Sequence, residues 1–141
     1  MVGNAAPFMV VGSETTATVL PGTPYLLLKF PKCMRRLKEE IHDRFGSKEE
    51  MTIEALLKLT YMTAVLDEAI RVYPGAPETL AKLVSPGGNA DLCRDDKNAF
   101  NPFSVGPRAC LGRNLVHNGL RLALSHLLWD FDFELDETSD G

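Results

Sequence analysis

Residues 103–112 read Phe-Ser-Val-Gly-Pro-Arg-Ala-Cys-Leu-Gly, and they hold the side chains best suited to chemistry. Cys110 stands where a leucine-rich helical pattern begins. A thiol at a helix start faces unpaired backbone N–H groups and the positive end of the helix dipole, and both favour the thiolate that binds metal. Gly106 permits a tight turn that aims the thiol, and Gly112 lets a flat ligand approach the helix closely. Phe103 supplies an apolar wall, and Arg108 a fixed cation for an acidic group. Each residue alone is ordinary. Five defined residues at fixed spacing are not, at roughly one chance in 10⁵ for a chain of this length at average composition. Zinc is a poor rival, because Cys110 and His117 would lie about 10 Å apart along a helix, too far to share one ion.

Two further groups precede this loop. Glu68 and Arg71 are three residues apart, the spacing of an ordinary solvated ion pair worth roughly a few tenths of a kcal/mol. The stretch Gly12-Ser13-Glu14-Thr15-Thr16 interrupts an apolar segment with hydroxyls that compete for helix backbone hydrogen bonds. Such hydroxyls open a helix locally and can hold a water, while a neighbouring acid can relay a proton.

The elements that must position these groups follow from periodicity. An apolar first segment covers 6–20, a turn is expected at Pro21-Gly22, and a charged helix over 34–45 ends near Gly46. Thr52 is a plausible N-cap for a short helix. Met62, Val65, Leu66, Ala69, Ile70 and Tyr73 repeat on one helical face, with Glu68 and Arg71 opposite, and Pro74 and Gly75 stop that helix. Residues 75–102 read as loop with at most one strand, near 80–84. From Cys110 to about Trp129 a last helix is expected. It carries one polar stripe (Arg113, Asn114, His117, Asn118, Arg121, Ser125) and a wide leucine arc. Alternation of Phe131, Phe133 and Leu135 with acids predicts a closing strand.

Composition bounds the function. The chain has 141 residues, 45% hydrophobic and 24% charged, with 15 basic and 19 acidic side chains. That is the profile of a globular domain, which at this length buries roughly 70% of its unfolded surface. A net charge of −4 without basic runs argues against nucleic acid as a partner. Three cysteines leave at least one thiol free and fit a reducing compartment. The apolar runs fall far short of the roughly 20 residues of a membrane helix.

On the motif at 103–112 the sequence resembles the cytochrome P450 family of haem-thiolate monooxygenases, and its overall run, rather than any single motif, resembles the fungal members. Glu68-Ala-Ile-Arg71 resembles that family's Glu-x-x-Arg pair, and Gly12 to Thr16 its oxygen-activation segment. The resemblance implies a mainly α fold with short β segments: the C-terminal haem-binding part of the P450 domain, incomplete. Residues 1–20 would be the end of the central helix, 61–73 the Glu-x-x-Arg helix, and 103–129 the cysteine-ligand loop and final helix. It implies haem b with Cys110 as metal ligand, a thiolate that favours O–O cleavage. Phe103, Gly106, Arg108 and Gly112 would bind the cofactor, Arg108 through a propionate. Glu14 and Thr15 would serve catalysis as proton relay and water-holding hydroxyl, and Glu68 and Arg71 would order the loops beneath the haem.

The implied reaction inserts one oxygen atom from O2 into an apolar small molecule, with electrons from NADPH through a reductase. Full-length relatives would sit at the endoplasmic reticulum membrane, held by an N-terminal region not found in this sequence. Only 39 residues separate Arg71 from Cys110, so an internal gap is expected between 75 and 100. Leucine arcs without covering partners would then leave the chain soluble or aggregating. Two other readings stand beside this one: a truncated non-catalytic haem-binding or inert remnant, and a haem-thiolate isomerase or peroxygenase.

Overall fold

A computed structural model describes residues 5–75 and 101–136, with side chains from Gly12 onward and that of Arg108 left out. Five α-helices make up the described part: α1 (Ala5–Lys29), α2 (Pro31–Arg44), α3 (Ile53–Leu56), α4 (Thr60–Val72) and α5 (Arg113–Asp130). The expected loop and strand over 76–100, and the gap placed there, lie outside the described residues.

The first helix corrects the expected turn at Pro21-Gly22, because α1 runs through Pro21 and Pro24 without ending. A proline inside a helix costs about 3 kcal/mol. Val19, Thr23 and Leu27 repay it by forming an i, i+4, i+8 stripe that is at most 5% exposed and packs into the core. The hydroxyl of Thr23 donates to the carbonyl of Val19 at 2.9 Å, so no polar hydrogen is stranded inside.

Pro31 opens α2 at a position where its missing N–H is not needed. Leu37 and Ile41, one turn apart, are fully buried. A 3-10 turn at Lys48–Glu50 leads to Thr52, whose hydroxyl accepts from the Ala55 amide at 3.3 Å, as a cap should. In α4 the apolar face is as expected: Met62 and Leu66 are fully buried and Ala69 and Ile70 nearly so.

The last helix meets the core on two faces. Leu120, Leu124 and Leu128 join the central apolar cluster. The polar residues His117, Arg121 and Ser125 also turn inward. Arg121 donates to the hydroxyl of Thr63 at 3.2 Å, and the Ser125 hydroxyl lies 3.7 Å from the Met62 sulfur. Thus α5 is buried against α4 by a stripe that looks solvent-facing in the sequence.

Beyond α5 the expected strand is corrected: residues 131–136 form no strand, and none occurs among the described residues. Alternation gives half-buried Phe133 and Leu135, but a ladder needs a neighbouring strand to accept its hydrogen bonds. Side chains pin this tail instead, through Lys38 to Asp132 at 2.6 Å and Lys48 to Asp130. His42 stacks on Trp129 beside them, with ring planes 8° apart. No helix among the described residues is long and apolar enough to cross a membrane.

Candidate functional site

The loop before α5 is built around two residues with left-handed backbone, Ser104 at φ 60° and Gly106 at φ 73°. Only glycine adopts this conformation freely, so the turn expected at Gly106 has a backbone reason. Residues Gly106–Arg108 form a 3-10 turn. The amide of Ala109 donates back to the Gly106 carbonyl, and that of Cys110 to the Phe103 carbonyl at 2.8 Å. These bonds keep 109–111 out of the helix, which begins at Arg113 with Gly112 as N-cap.

Cys110 therefore stands two residues ahead of the cap, and the expected helix start at Cys110 is corrected to Arg113. Its thiol is exposed and lies 3.9 Å from where a side chain on Gly112 would begin. Glycine at 112 leaves that side of the sulfur open. Apolar side chains of the same stretch of chain are also without cover: Leu111 is 97% exposed, Leu115 78% and Val105 66%.

Phe103 is half-buried against the core cluster. It helps line a cavity of about 780 Å³ between α4 and the start of α5, along with Asp67, Glu68, Arg71, Arg113 and His117. Glu68 and Arg71 are paired through two hydrogen bonds of 2.7 Å each. The Arg71 guanidinium holds the Glu68 carboxyl below the usual carboxylate range, although both side chains are more than half exposed. The structure thus brings Glu68, Arg71 and Phe103 to one cavity beside the Cys110 loop. Arg113 and His117 share that cavity, although the sequence reads them as members of a polar stripe and His117 otherwise only as a rejected zinc ligand. The signal was their i, i+4 spacing downstream of the cysteine. The side chain of Arg108 lies outside the described set.

Glu14 and Thr15 sit elsewhere, on α1, where Glu14 is exposed and Thr15 half-buried. Their neighbourhood is the end of α4: the Thr15 carbonyl comes so close to Gly75 that a Cβ there would lie 2.6 Å from it. The hydroxyls of Thr16 and Thr18 donate to the carbonyls of Gly12 and Glu14.

An exposed thiol suits a metal that favours soft ligands. Among the described residues no three His, Cys, Asp or Glu side chains gather to hold an ion. Iron within a porphyrin is a metal that takes one such thiolate from the protein. An exposed sulfur and the exposed apolar side chains of Val105 and Leu111 in the same loop fit a flat, largely apolar group.

Comparisons with known proteins place the chain among relatives. The model of the cytochrome P450 family matches residues 1–86 and 89–141. Cytochrome P450 monooxygenase traB of Penicillium crustosum is 36% identical over 96% of this chain and 35% of its own length. Averantin hydroxylase of Dothistroma septosporum is 35% identical over 100% of the chain and 35% of its own length. Cytochrome P450 monooxygenase astA of Talaromyces wortmannii is 38% identical over 94% and 35%. The chain spans about a third of the length of these relatives. The alignment to the hydroxylase runs over 183 positions against the 141 residues of this chain, so the relative has some 42 positions without a counterpart. No solved structure matches.

Proposed function

The chain belongs to the cytochrome P450 family, and from that premise we propose that it serves as the thiolate-bearing part of a haem-dependent monooxygenase acting on an apolar small molecule. The observation that carries this is the Cys110 loop: an exposed thiol, glycine beneath it, and an amide tied back to Phe103. Haem, when bound, supplies the activation of O2, with electrons drawn from NADPH through a reductase.

The residues of the chain would divide the remaining work. Cys110 holds the metal from one side as a thiolate, and Phe103 and Gly112 present an apolar wall and a flat approach. Gly106 sets the turn that aims the sulfur, and Arg108 pairs with an acidic edge of the cofactor. Glu68 and Arg71 order the loop from below. Thr15 holds a water and Glu14 moves a proton to it from solvent, a division supported by the exposure of Glu14. It is further supported by the Thr16 and Thr18 hydroxyls, which bond back to the Gly12 and Glu14 carbonyls of α1 and compete there with its backbone bonds. The positions missing relative to the hydroxylase are assigned to 75–100, which is supported by the break in the family match at 87–88.

A second reading, haem binding without turnover, is favoured by the exposure of Leu111, Leu115 and Val105. Haem titration separates the two in stages. Reduction under carbon monoxide is expected to give a thiolate-shifted Soret band that Cys110→Ala abolishes. No haem uptake, or a band indifferent to C110A, overturns Cys110 as ligand. Turnover of an apolar probe with a reductase then decides for the enzyme, and uptake without turnover for the second reading.

A further inference from the structure

Among the described side chains from Phe103 to Cys110, Phe103 alone is packed; Ser104, Val105, Pro107, Ala109 and Cys110 are exposed. The presentation of the thiol therefore depends on what holds one ring. The ring of His117 lies 5.1 Å from that of Phe103, tilted by 46°, an attractive geometry for two aromatic rings. One turn earlier on α5, the Arg113 guanidinium lies 5.6 Å from the Phe103 centroid.

His117 is a costly residue for a plain core position. It is 9% exposed, and its Nδ1 is buried without a hydrogen-bond partner. An apolar side chain of similar volume would avoid stranding a polar nitrogen there. Burial and the neighbouring cations Arg121 and Arg113 push its pKa down, against an opposing pull from Asp67, and the net lowering favours the neutral ring. What His117 offers the site is a flat neutral ring against Phe103.

We infer that His117 is a positioning residue for the Cys110 loop: anchored in α5, its ring fixes the Phe103 ring, and the Phe103 carbonyl in turn fixes the Cys110 amide. The functional meaning rests on Cys110 as metal ligand. The physical claim concerns this chain alone.

Hydrogen exchange of the Cys110 amide, followed by NMR in the full chain, tests it without cofactor. His117→Leu is expected to speed that exchange at least about tenfold, while His117→Phe, which keeps a ring, stays within about twofold of the parent. Amides of α4 from Leu66 to Ile70 are expected to exchange alike in all three. Unchanged exchange at Cys110 in H117L overturns the inference. So does H117F behaving as H117L does, or α4 accelerating as much as Cys110, since either makes His117 a general core residue. Where H117L fails to fold, Phe103→Leu removes the partner ring and gives the same readout under the same criteria. Failure of haem uptake with this exchange pattern intact overturns the proposed function and leaves the inference standing.

Discussion

Glu40 on α2 caps the start of α4 through Tyr61, accepting its amide hydrogen at 2.9 Å, while its second carboxylate oxygen takes that of Met62 at the same distance. These are amides that an N-cap side chain normally serves, and the residue at the α4 cap position, Leu59, has no side chain able to do so. A carboxylate there also meets the positive end of the helix dipole. Glu40→Ala is expected to lower stability by about 1–2 kcal/mol. Glu40→Gln, which keeps one acceptor, should lose less. Denaturant unfolding of both variants checks the order, and equal losses would remove the carboxylate charge from the account.

His117 predicts a pH dependence with a definite sign. Its folded pKa lies below the ordinary 6.5, chiefly through burial, with Arg121 and Arg113 adding to the effect. Below 6.5 the unfolded chain therefore takes up a proton at this residue before the folded chain does. Stability from this site is complete above 6.5 and declines as pH falls through the folded value. The unfolding free energy of the parent is expected to drop more steeply between pH 7.5 and 5 than that of H117F. All other titrating groups are shared by the two proteins, so the difference between the curves isolates the histidine.

Two glycines at the contact of α1 with the end of α4 should respond in opposite ways. A Cβ on Gly75 would lie 2.6 Å from the Thr15 carbonyl oxygen and 3.2 Å from two further backbone atoms of Thr15. Backbone cannot swing aside, so Gly75→Ala is expected to cost about 1–3 kcal/mol. At Gly22 the obstacle is the Tyr73 ring at 2.8 Å, and that ring is half exposed and able to rotate. Gly22 also lies inside a helix, where alanine gains about 0.5–1 kcal/mol over glycine. Gly22→Ala is thus expected to be neutral or stabilising in thermal unfolding.

The same contacts explain which elements were legible in the sequence. Helix α4 was, because Met62, Leu66, Ala69 and Ile70 repeat at the helical period and all four are buried, and Thr52 was, because a cap is a local device. The passage of α1 through Pro21 and Pro24 was not. It depends on Val19 and Leu27 meeting helices distant in the chain, and no local propensity records that. The strand expected at 131–135 failed for a related reason, since alternation describes one face of a ladder but not the partner that completes it. In the site, the Cys110 motif was legible as residue types, whereas the inward turn of His117 and Arg121 was hidden behind their polarity. Helical polar residues usually face water, and only the Thr63 hydroxyl and the Phe103 ring give these two a reason to face the core.

Glu68 and Arg71 separate stability from function. Their side chains are 60% and 55% exposed, and an ion pair in that setting is worth less than about 1 kcal/mol. The lowered Glu68 pKa means that the pair adds stability above the ordinary carboxylate value and loses it as pH falls, but solvent screening keeps the amount small. Glu68→Gln is therefore expected to leave the denaturation midpoint of the chain nearly unchanged. The pair nonetheless lines the cavity that Phe103, Arg113 and His117 share, so its place in the molecule is at the loop that presents Cys110. If that loop binds haem, E68Q is expected to weaken uptake by more than its stability loss explains, and Arg71→Lys, which gives up the two-pronged contact, should do the same. Uptake by E68Q that tracks the unfolding midpoint alone would reduce the pair to an ordinary surface bridge.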